Sequence, residues 1–250
     1  MTDNCPLVSI IMPCFNSSKT INNSINSVLK QSYLNWELII IDDCSTDNSL
    51  EIIENYKKKD SRFCIVRNEF NKGVSFSRNE GLRLSSGLFI AFLDSDDFWD
   101  SRKLEFQISE MVNNSLDISC TAYYRVDLNK RIIGHVNIKK VISYQDILKG
   151  NPISMSSSII KTEKLSNMVF QKVGHEDYLF WLNILKNGIT VYPINSFLTY
   201  YTVQNDSLSS NKLKAITYTW KIYRSSLGFN LFKCFYLLVY HILNSLLKRI

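Results

Sequence analysis

Apolar residues in the first hundred positions follow two alternating patterns. Four short runs are apolar at nearly every position, and the segments between them carry apolar residues three and four positions apart. The continuous runs predict buried strands, and the spaced segments predict amphipathic helices. The predicted order is strand 7–12, helix 20–30, strand 36–41, a helix built on Leu50, Ile53 and Tyr56, strand 63–66, helix 75–84 and strand 88–93.

The later part of the chain has fewer clear patterns. It predicts a helix over 103–112 and strands over 118–126, 156–160 and 197–203, while 129–150 is polar and weakly patterned. Tyr178, Trp181, Leu182 and Leu185 lie at i, i+3, i+4 and i+7, which predicts an amphipathic helix over 176–186. No linker-like composition occurs before about Ser207. We therefore expect one domain over 1–206 and an extension over 207–250.

The order of the elements predicts the fold class. Strands that alternate with helices indicate βαβ units and a mainly parallel sheet flanked by helices, which is an α/β fold. Ligands of such sheets bind beyond the carboxyl ends of the strands. The second predicted strand ends at Asp42 and Asp43, and the fourth ends at the acidic run 94–97. The sequence therefore predicts two acidic clusters at one edge of the sheet.

Composition narrows the class of protein. Of the 250 residues, 45% are hydrophobic and 21% are charged, with only 8 Gly and 4 Pro, which excludes a collagen-like or generally disordered chain. The six cysteines include no C-x-x-C pair, and the first residues show no signal-peptide pattern. We therefore expect a reducing, cytoplasmic location.

The run Asp94-Ser95-Asp96-Asp97 places three carboxylates within four residues. Such clustering is repulsive unless a cation or a helix N-terminus offsets it. Oxygen ligands without His or Cys favour Mg²⁺ or Mn²⁺, which commonly share their coordination shell with substrate phosphates. The alternative is that these acids only begin the helix that follows, which Asp100 alone could do.

Five motifs occur in order along the chain: VSIIMPCFN, IIIDDCSTDNS, NKGVSFSRNEGL, FLDSDD and GHEDYLFWL. Together they resemble the ordered motifs of family 2 inverting glycosyltransferases, which have the Rossmann-like GT-A fold. The resemblance covers about residues 7–205, and the segment SLSSNKLKAITYTWKIYR also resembles enzymes of bacterial surface-polysaccharide and O-antigen pathways. It implies transfer of a sugar from a nucleotide-diphosphate donor, most often a UDP-sugar, to a hydroxyl of a glycan acceptor, with inversion.

The resemblance also implies roles for individual residues, and the residue types suit those roles. The carboxylate of Asp43 can accept the hydrogen bond of the uracil ring N–H, and the planar fork of Arg78 can donate two parallel bonds to phosphate. Asp96 would ligate the metal. Asp177 would be the base that deprotonates the acceptor hydroxyl, with Glu176 positioning the base or the acceptor. The other implied nucleotide-sugar contacts are Pro13, Phe15 and Asn16 around the base, Lys72 near the nucleotide, Asp94 at the ribose and Ser95 in the same motif.

Some of these residues have a purely structural alternative. Asp43 could serve only a turn or a helix cap, and Glu176 and Asp177 could simply face the positive end of a helix dipole. The sequence also departs from the family pattern at one place. Family members often carry Arg, and His two residues later, after the outer strand, where this chain has Thr202 and Gln204.

The C-terminal segment differs in charge from the rest of the chain. From Ser209 onward there are seven basic and no acidic residues, so the net charge of +6 leaves −1 for the preceding part. The apolar stretch 234–247 has 14 residues, fewer than the roughly 20 that span a bilayer. We expect an amphipathic interfacial helix at the inner face of the cell membrane and no nucleic-acid partner. The alternative is a helix that packs on the body or on a partner chain.

The expected function is that of an inverting glycosyltransferase whose acceptor is a polyprenyl-diphosphate-linked glycan. Two alternatives stay open. A nucleotidyltransferase also combines such a sheet with an acidic metal site, and it would release diphosphate where a glycosyltransferase releases a nucleoside diphosphate. The other alternative is a non-catalytic subunit that binds nucleotide sugar and assembles at the membrane.

Overall fold

The N-terminal half alternates strands and helices as the apolar pattern predicts. The computed structural model describes residues 5–203 and 212–247. Each predicted element of the first hundred residues is present, and its bounds differ from the predicted ones by at most two residues. The elements are β1 (Val8–Cys14), α1 (Ile21–Leu29), β2 (Trp36–Asp42), α2 (Ser49–Lys57), β3 (Phe63–Arg67), α3 (Val74–Leu84) and β4 (Phe89–Phe92).

The second half departs more from the prediction. The strand β7 (Ile132–Val136) and the one-turn helix α5 (Tyr144–Ile147) lie within the weakly patterned segment, and the sequence does not predict β7 because none of its residues is fully buried. The outer strand β9 (Tyr192–Thr202) begins five residues earlier than predicted, since its first part pairs with β6 (Ile118–Val126) across two register shifts. The elements are β5 (Phe98–Trp99), α4 (Lys103–Asn113), β6 (Ile118–Val126), β7 (Ile132–Val136), α5 (Tyr144–Ile147), β8 (Ser158–Lys161), α6 (Glu176–Leu185) and β9 (Tyr192–Thr202).

The strands form one mixed sheet with the order β3-β2-β1-β4-β8-β6-β9-β5, and β7 pairs with β6. Strands β1 to β4 are mutually parallel, as the βαβ pattern requires, and β6 pairs with β9 in the same sense. The pairs of β8 with β4 and with β6 are antiparallel, as are those of β5 and β7. The chain passes from β1 to β2 on one side while β4 lies on the other, so the topological switch point falls between β1 and β4.

Two apolar cores cover the two faces of the sheet. Successive residues of β1 point to opposite faces, so Ile10 and Met12 belong to one core and Ile11 belongs to the other. Helix α3 approaches the Ile11 side closely because Gly81 has no side chain. A Cβ atom at Gly81 would lie 2.3 Å from Cγ2 of Ile11. This contact fixes the height of α3 above the sheet and hence the position of its N-terminal residues at the sheet edge.

The C-terminal extension packs on the body through one face. It comprises α7 (Lys212–Lys221), a π-helical turn (Ile222–Ser226) and α8 (Leu231–Leu247). Tyr223 is buried and its hydroxyl donates to the carbonyl of Leu148 at 2.6 Å, and Cys234 and Leu237 are also buried. The predicted boundary between 206 and 207 lies outside the described residues, as does Gln204. None of the helices within the described ranges combines the length and hydropathy needed to cross a bilayer.

Candidate active site

The first cleft lies at the switch point between the carboxyl ends of β1 and β4. Its volume is about 560 Å³. The acidic clusters of the second and fourth strands meet here, as the strand order predicts. Every residue predicted to contact the nucleotide or the metal lines this cleft except Lys72. They are Pro13, Phe15, Asn16, Asp43, Arg78, Asp94, Ser95 and Asp96.

Asp43 follows β2 and organises the loop that precedes α3. Its Oδ1 accepts from Nδ2 of Asn68 at 2.7 Å and from the backbone N–H of Lys72 at 2.9 Å, and its Oδ2 accepts from Gly73 at 2.7 Å. A carboxylate has about four acceptor positions, so one remains for a ligand. The φ angle of Gly73 is +89°, a conformation that favours glycine and lets this N–H point at the carboxylate.

Lys72 serves the site through its backbone. Its ammonium lies over the rings of Phe76 and Phe70, at 4.4 and 5.1 Å from their centroids. The side chain is therefore held beside aromatic residues and does not line the first cleft.

The acidic run after β4 is divided between the cleft and the interior. Asp97 is buried, its Oδ2 accepts from Oγ of Ser156 at 2.6 Å, and its Oδ1 accepts from the backbone N–H of Thr202 at 2.8 Å. Burial, with the negative charges of Asp96 and Asp94 adding to it, raises the pKa of Asp97 well above the ordinary value. Asp97 thus ties the acidic run to β9, while Asp94 and Asp96 line the cleft.

Thr202, where the sequence departs from the pattern that it otherwise resembles, contacts the acidic run directly. Its hydroxyl donates to the carbonyl of Asp96, and its N–H to Asp97. At this position the chain therefore uses a neutral residue to hold the acidic run in place.

The donor set of the first cleft suits a hard divalent cation. Asp94 and Asp96 supply carboxylate oxygens on one side of the cleft, with no His or Cys among the lining residues apart from Cys14. Across the described part of the chain, no group of three or more His, Cys, Asp or Glu side chains could hold a metal by itself. Mg²⁺ commonly binds through one or two carboxylates and completes its shell with substrate phosphates and water. The residues therefore fit an ion that binds together with a diphosphate.

Arg78 joins the first cleft to the start of α6. Its side chain is only 4% exposed, and its guanidinium donates to Oδ1 of Asp94 at 2.8 Å and to Oδ1 of Asp177. The ring of Phe170 lies 5.4 Å from the guanidinium carbon. The arginine expected beside the donor phosphates is thus also the link between two carboxylates that are far apart in sequence.

Asp177 lies in the first turn of α6, whose following residues are buried and anchor the helix. The side chain of Asp177 is 40% exposed. Desolvation in the cleft raises the pKa of Asp177 from its ordinary value, and the Arg78 cation opposes that effect. Glu176 accepts from the N–H of Gly174 at 3.3 Å. Burial lowers the pKa of His175, whose ring lies edge-on to Tyr218 at 5.6 Å.

A second, larger cleft begins where the first one ends. It has a volume of about 980 Å³ and contains Glu176 and Asp177, and it shares Val74, Arg78 and Asp94 with the first cleft. Asp177 therefore lies at the border between two spaces, with the predicted metal and nucleotide residues on one side. The far walls come from β6, from the segment 136–155, and from His241 and Asn244 of α8.

Several contributing residues were missed from the sequence. Asn68 follows β3 at the same sheet edge as Asp43, and the rule that pointed to Asp43 applies to it too. Ser156 accepts from the N–H of Asp94 at 3.1 Å, yet nothing in its local sequence marks it. Asn244 donates to the carbonyl of Lys149 at 2.8 Å, a contact between segments that only the fold brings together.

Comparison with known proteins assigns the chain to a family. The model of Glycosyl transferase family 2 matches residues 9–183. The chain belongs to this family. Among relatives of glycosyl transferase family 2 it is 39% identical to the Escherichia coli UDP-Glc:alpha-D-GlcNAc-diphosphoundecaprenol beta-1,3-glucosyltransferase WfgD, over 94% of this chain and 92% of that one. The protein is thus a glycosyltransferase, and the expected class of enzyme is confirmed.

Two further relatives match over nearly their whole length. WfaP of Escherichia coli, which is named for the same activity as WfgD, is 37% identical over 97% of this chain and 95% of its own. TuaG of Bacillus subtilis (strain 168), whose name gives it a provisional role as a teichuronic acid biosynthesis glycosyltransferase, is 36% identical over the full length of both chains.

Solved structures confirm the fold. Residues 1–349 of Staphylococcus aureus TarS, in complex with UDP-GlcNAc, superpose with a TM-score of 0.73 and 24% identity over 90% of this chain and 67% of that one. The mannosyltransferase PcManGT from Pyrobaculum calidifontis, in complex with GDP-Man and Mn²⁺, gives a TM-score of 0.69 at 15% identity, over 94% of this chain and 68% of its own. The expected GT-A architecture is therefore correct.

Proposed function

We propose that this glycosyltransferase moves one sugar from a UDP-sugar to a hydroxyl of a lipid-linked glycan during the assembly of a bacterial surface polysaccharide. The observation that carries the proposal is the position of Asp177 at the border between two clefts. The first cleft holds residues suited to a nucleotide diphosphate, and the second offers space for a glycan. The names of WfgD and WfaP, which specify UDP-Glc and a diphosphoundecaprenol-linked acceptor, and that of TuaG, which specifies teichuronic acid, support these substrate classes.

The first cleft would bind the donor. Phe15 lies at the rim of the first cleft and is 47% exposed, so its ring can stack on the base. The remaining acceptor position of Asp43 can receive the N–H of uracil. Asp96, with Asp94 beside it, would hold Mg²⁺ or Mn²⁺. Such an ion, when bound, offsets the negative charge that develops on the leaving diphosphate.

Asp177 would act as the base from the side of the second cleft. Its carboxylate takes the proton of the acceptor hydroxyl while that oxygen attacks the anomeric carbon, on the face opposite the bond to the diphosphate. The carbon–oxygen bond to the diphosphate breaks with its electron pair, and a nucleoside diphosphate leaves. A single displacement inverts the anomeric configuration. The Arg78 cation would keep Asp177 ionised and oriented before the acceptor arrives.

A peripheral place at the inner face of the membrane fits the same proposal. Helix α8 turns one apolar face to the body and leaves Phe232, Phe235 and Tyr236 exposed on the other. An exposed aromatic and aliphatic face on a basic segment is typical of helices that lie in a lipid interface. The interfacial helix and the helix packed on the body are therefore compatible descriptions of α8.

The proposal is tested by the identity of the released product and by removal of the base. Purified protein is supplied with UDP-Glc or UDP-GlcNAc, a diphosphate-linked GlcNAc lipid and Mn²⁺, and release of UDP is measured. Asp177→Asn is expected to lower kcat about 10²- to 10⁴-fold while donor binding is retained. The matched control is Glu51→Gln, which removes a carboxylate from the first turn of a helix away from both clefts.

Three results would count against this function. Release of diphosphate from nucleoside triphosphates in place of UDP would identify a nucleotidyltransferase. Unchanged turnover in Asp177→Asn would remove Asp177 as the base. Donor binding that is independent of Mn²⁺ in the wild type, or unaffected in Asp96→Ala, would remove the metal assignment.

A further inference from the structure

The second cleft changes its charge from one end to the other. The end near the first cleft carries three carboxylates, those of Asp94, Glu176 and Asp177, against the single cation of Arg78. The other walls carry four cationic side chains, of which Lys140 is paired with Asp146 at 2.7 Å. The remaining three have no ion pair within residues 5–203 and 212–247, and they are Arg125, Lys139 and Lys149.

Lys149 lies where the cleft meets helix α8. Its carbonyl accepts from Nδ2 of Asn244 at 2.8 Å, and its ammonium is 5.6 Å from the centroid of the Tyr240 ring. Asn244 lines the cleft, whereas Tyr240 is 39% exposed on the outer side of the helix. The ammonium therefore lies at the boundary between a polar cleft and an apolar surface.

The apolar surface is a single stripe along α8. Its members recur three and four residues apart, which places them on one side of the helix, opposite the buried Cys234 and Leu237. The helix contains no Asp or Glu. The outward stripe, called the α8 stripe below, consists of Phe232, Phe235, Tyr236, Val239, Tyr240 and Leu243, all at least 39% exposed.

The base and Lys149 are close in the fold. Tyr178, which follows Asp177, donates from its hydroxyl to the carbonyls of Ile147 and Leu148, at 3.0 and 3.3 Å. The backbones of Tyr178 and Leu148, which are the chain neighbours of Asp177 and Lys149, are thus separated by about one tyrosine side chain and one hydrogen bond. A single sugar residue spans a distance of the same order.

One residue of the cleft wall also carries a buried polar atom without a protein partner. Oδ1 of Asn137 is buried and has no hydrogen-bond partner among the described residues, and Asn137 lines the second cleft. A buried acceptor of this kind costs free energy unless a ligand donates to it. A sugar hydroxyl would supply that donor once the Asn137 amide turns towards the cleft.

We propose that Arg125, Lys139 and Lys149 bind the diphosphate of the lipid-linked acceptor, and that the α8 stripe receives the beginning of its lipid chain. This inference rests on the proposed function and names its acceptor subsite. The carboxylates at the inner end repel phosphate, so the acceptor enters with its sugar towards Asp177 and its diphosphate among the unpaired cations. The occupant is a molecule with a diphosphate directly attached to a long apolar chain, because cations and stripe meet at Lys149.

The inference is tested by binding, which does not require turnover. Farnesyl diphosphate serves as a soluble probe and is titrated against the full chain by calorimetry, with farnesol as the uncharged comparison. The variant Lys139→Gln/Lys149→Gln loses two charge-assisted contacts with the diphosphate, so it is expected to bind farnesyl diphosphate at least about tenfold more weakly. The control Lys58→Gln/Lys59→Gln removes equal charge from the exposed end of α2, and Lys149→Arg is expected to retain binding.

Each outcome decides the question. Equal affinity of the wild type for farnesyl diphosphate and farnesol, or unchanged affinity in the Lys139/Lys149 variant, overturns the subsite. Loss of binding to phosphatidylglycerol vesicles with farnesyl diphosphate binding intact would assign the lysines to phospholipid headgroups and overturn it as well. If the lysines bind farnesyl diphosphate but the wild type releases no UDP from a UDP-sugar, the subsite stands and the proposed function fails.

Discussion

Replacing Arg78 by Gln is expected to raise the pKa of Asp177 and to shift the acid limb of the pH–rate profile upward. Arg78 is almost fully buried and donates to both Asp94 and Asp177. Opposite unit charges about 4 Å apart attract by roughly 4 kcal/mol at an effective dielectric constant of about 20. Because the Asp177 side chain is 40% exposed, solvent screening reduces this attraction to about 1–2 kcal/mol. That energy corresponds to roughly a tenfold stronger binding of the proton by Asp177.

The surroundings of the Asp177 carboxylate determine the direction in which its pKa changes. Desolvation and the charges of Asp94 and Glu176 already favour the protonated form of Asp177, and only Arg78 opposes them. Without the cation, the base is protonated in a larger fraction of molecules at acid pH. The acid limb of kcat/KM is therefore expected to move by about one pH unit towards neutrality.

The assay is the release of UDP between pH 5 and 9. It is recorded at a temperature at which both the wild type and the variant are folded. The matched control is Arg83→Gln on the same helix, where the arginine is 65% exposed and pairs with Glu80 at 3.0 Å. An Arg78→Gln profile that falls uniformly, with its acid limb in place, would refute the coupling. It would leave Arg78 with a role at the nucleotide alone.

Three further predictions concern the scaffold of the site. Burial lowers the pKa of Lys103 to about 7. Between pH 7 and 10 the unfolded chain therefore binds a proton at Lys103 that the folded chain lacks. Over this range the free energy of unfolding rises with pH by up to about 4 kcal/mol because of this group. In urea unfolding at pH 7, Lys103→Met is expected to be more stable than the wild type, and this advantage is expected to be smaller at pH 9.5. A difference between the two proteins that is the same at both pH values would contradict the prediction. Ser156→Ala is expected to cost about 1–3 kcal/mol, because buried Asp97 loses a donor, and to raise the KM for the donor sugar; an unchanged KM would show that the acidic run does not depend on it. Gly81→Ala is expected to lower stability by about 1–3 kcal/mol through the clash with Cγ2 of Ile11. Ile11→Ala removes that Cγ2 atom, so the double variant should lose less stability than the sum of the two single changes, whereas simple additivity would argue against the contact.

Much of the architecture follows from the sequence alone. The apolar runs fix β1 to β4, because strands covered on both faces must be apolar at nearly every position. Once strand and helix alternate, the crossover connections make the strands parallel, so that their carboxyl ends lie at one edge of the sheet. The sequence therefore predicts that Asp43 and Asp94 lie together. The first turn of α6 was predictable in the same way, from the spacing of the apolar residues that anchor it.

Only the tertiary structure decided which of these carboxylates face the cleft and which face the interior. Asp96 and Asp97 are neighbours in a loop, where no periodicity sets the direction of a side chain, and the partners that turn Asp97 inward are Ser156 and Thr202 from distant strands. The bond of Arg78 to Asp177 likewise joins residues 99 positions apart. The pattern of apolar and polar residues indicates which side of one helix or strand is buried. Contacts such as these depend on the register and packing of several elements at once. The same reason explains why the meeting of Lys149 with Tyr240 at the cleft border could be seen only after the chain had folded.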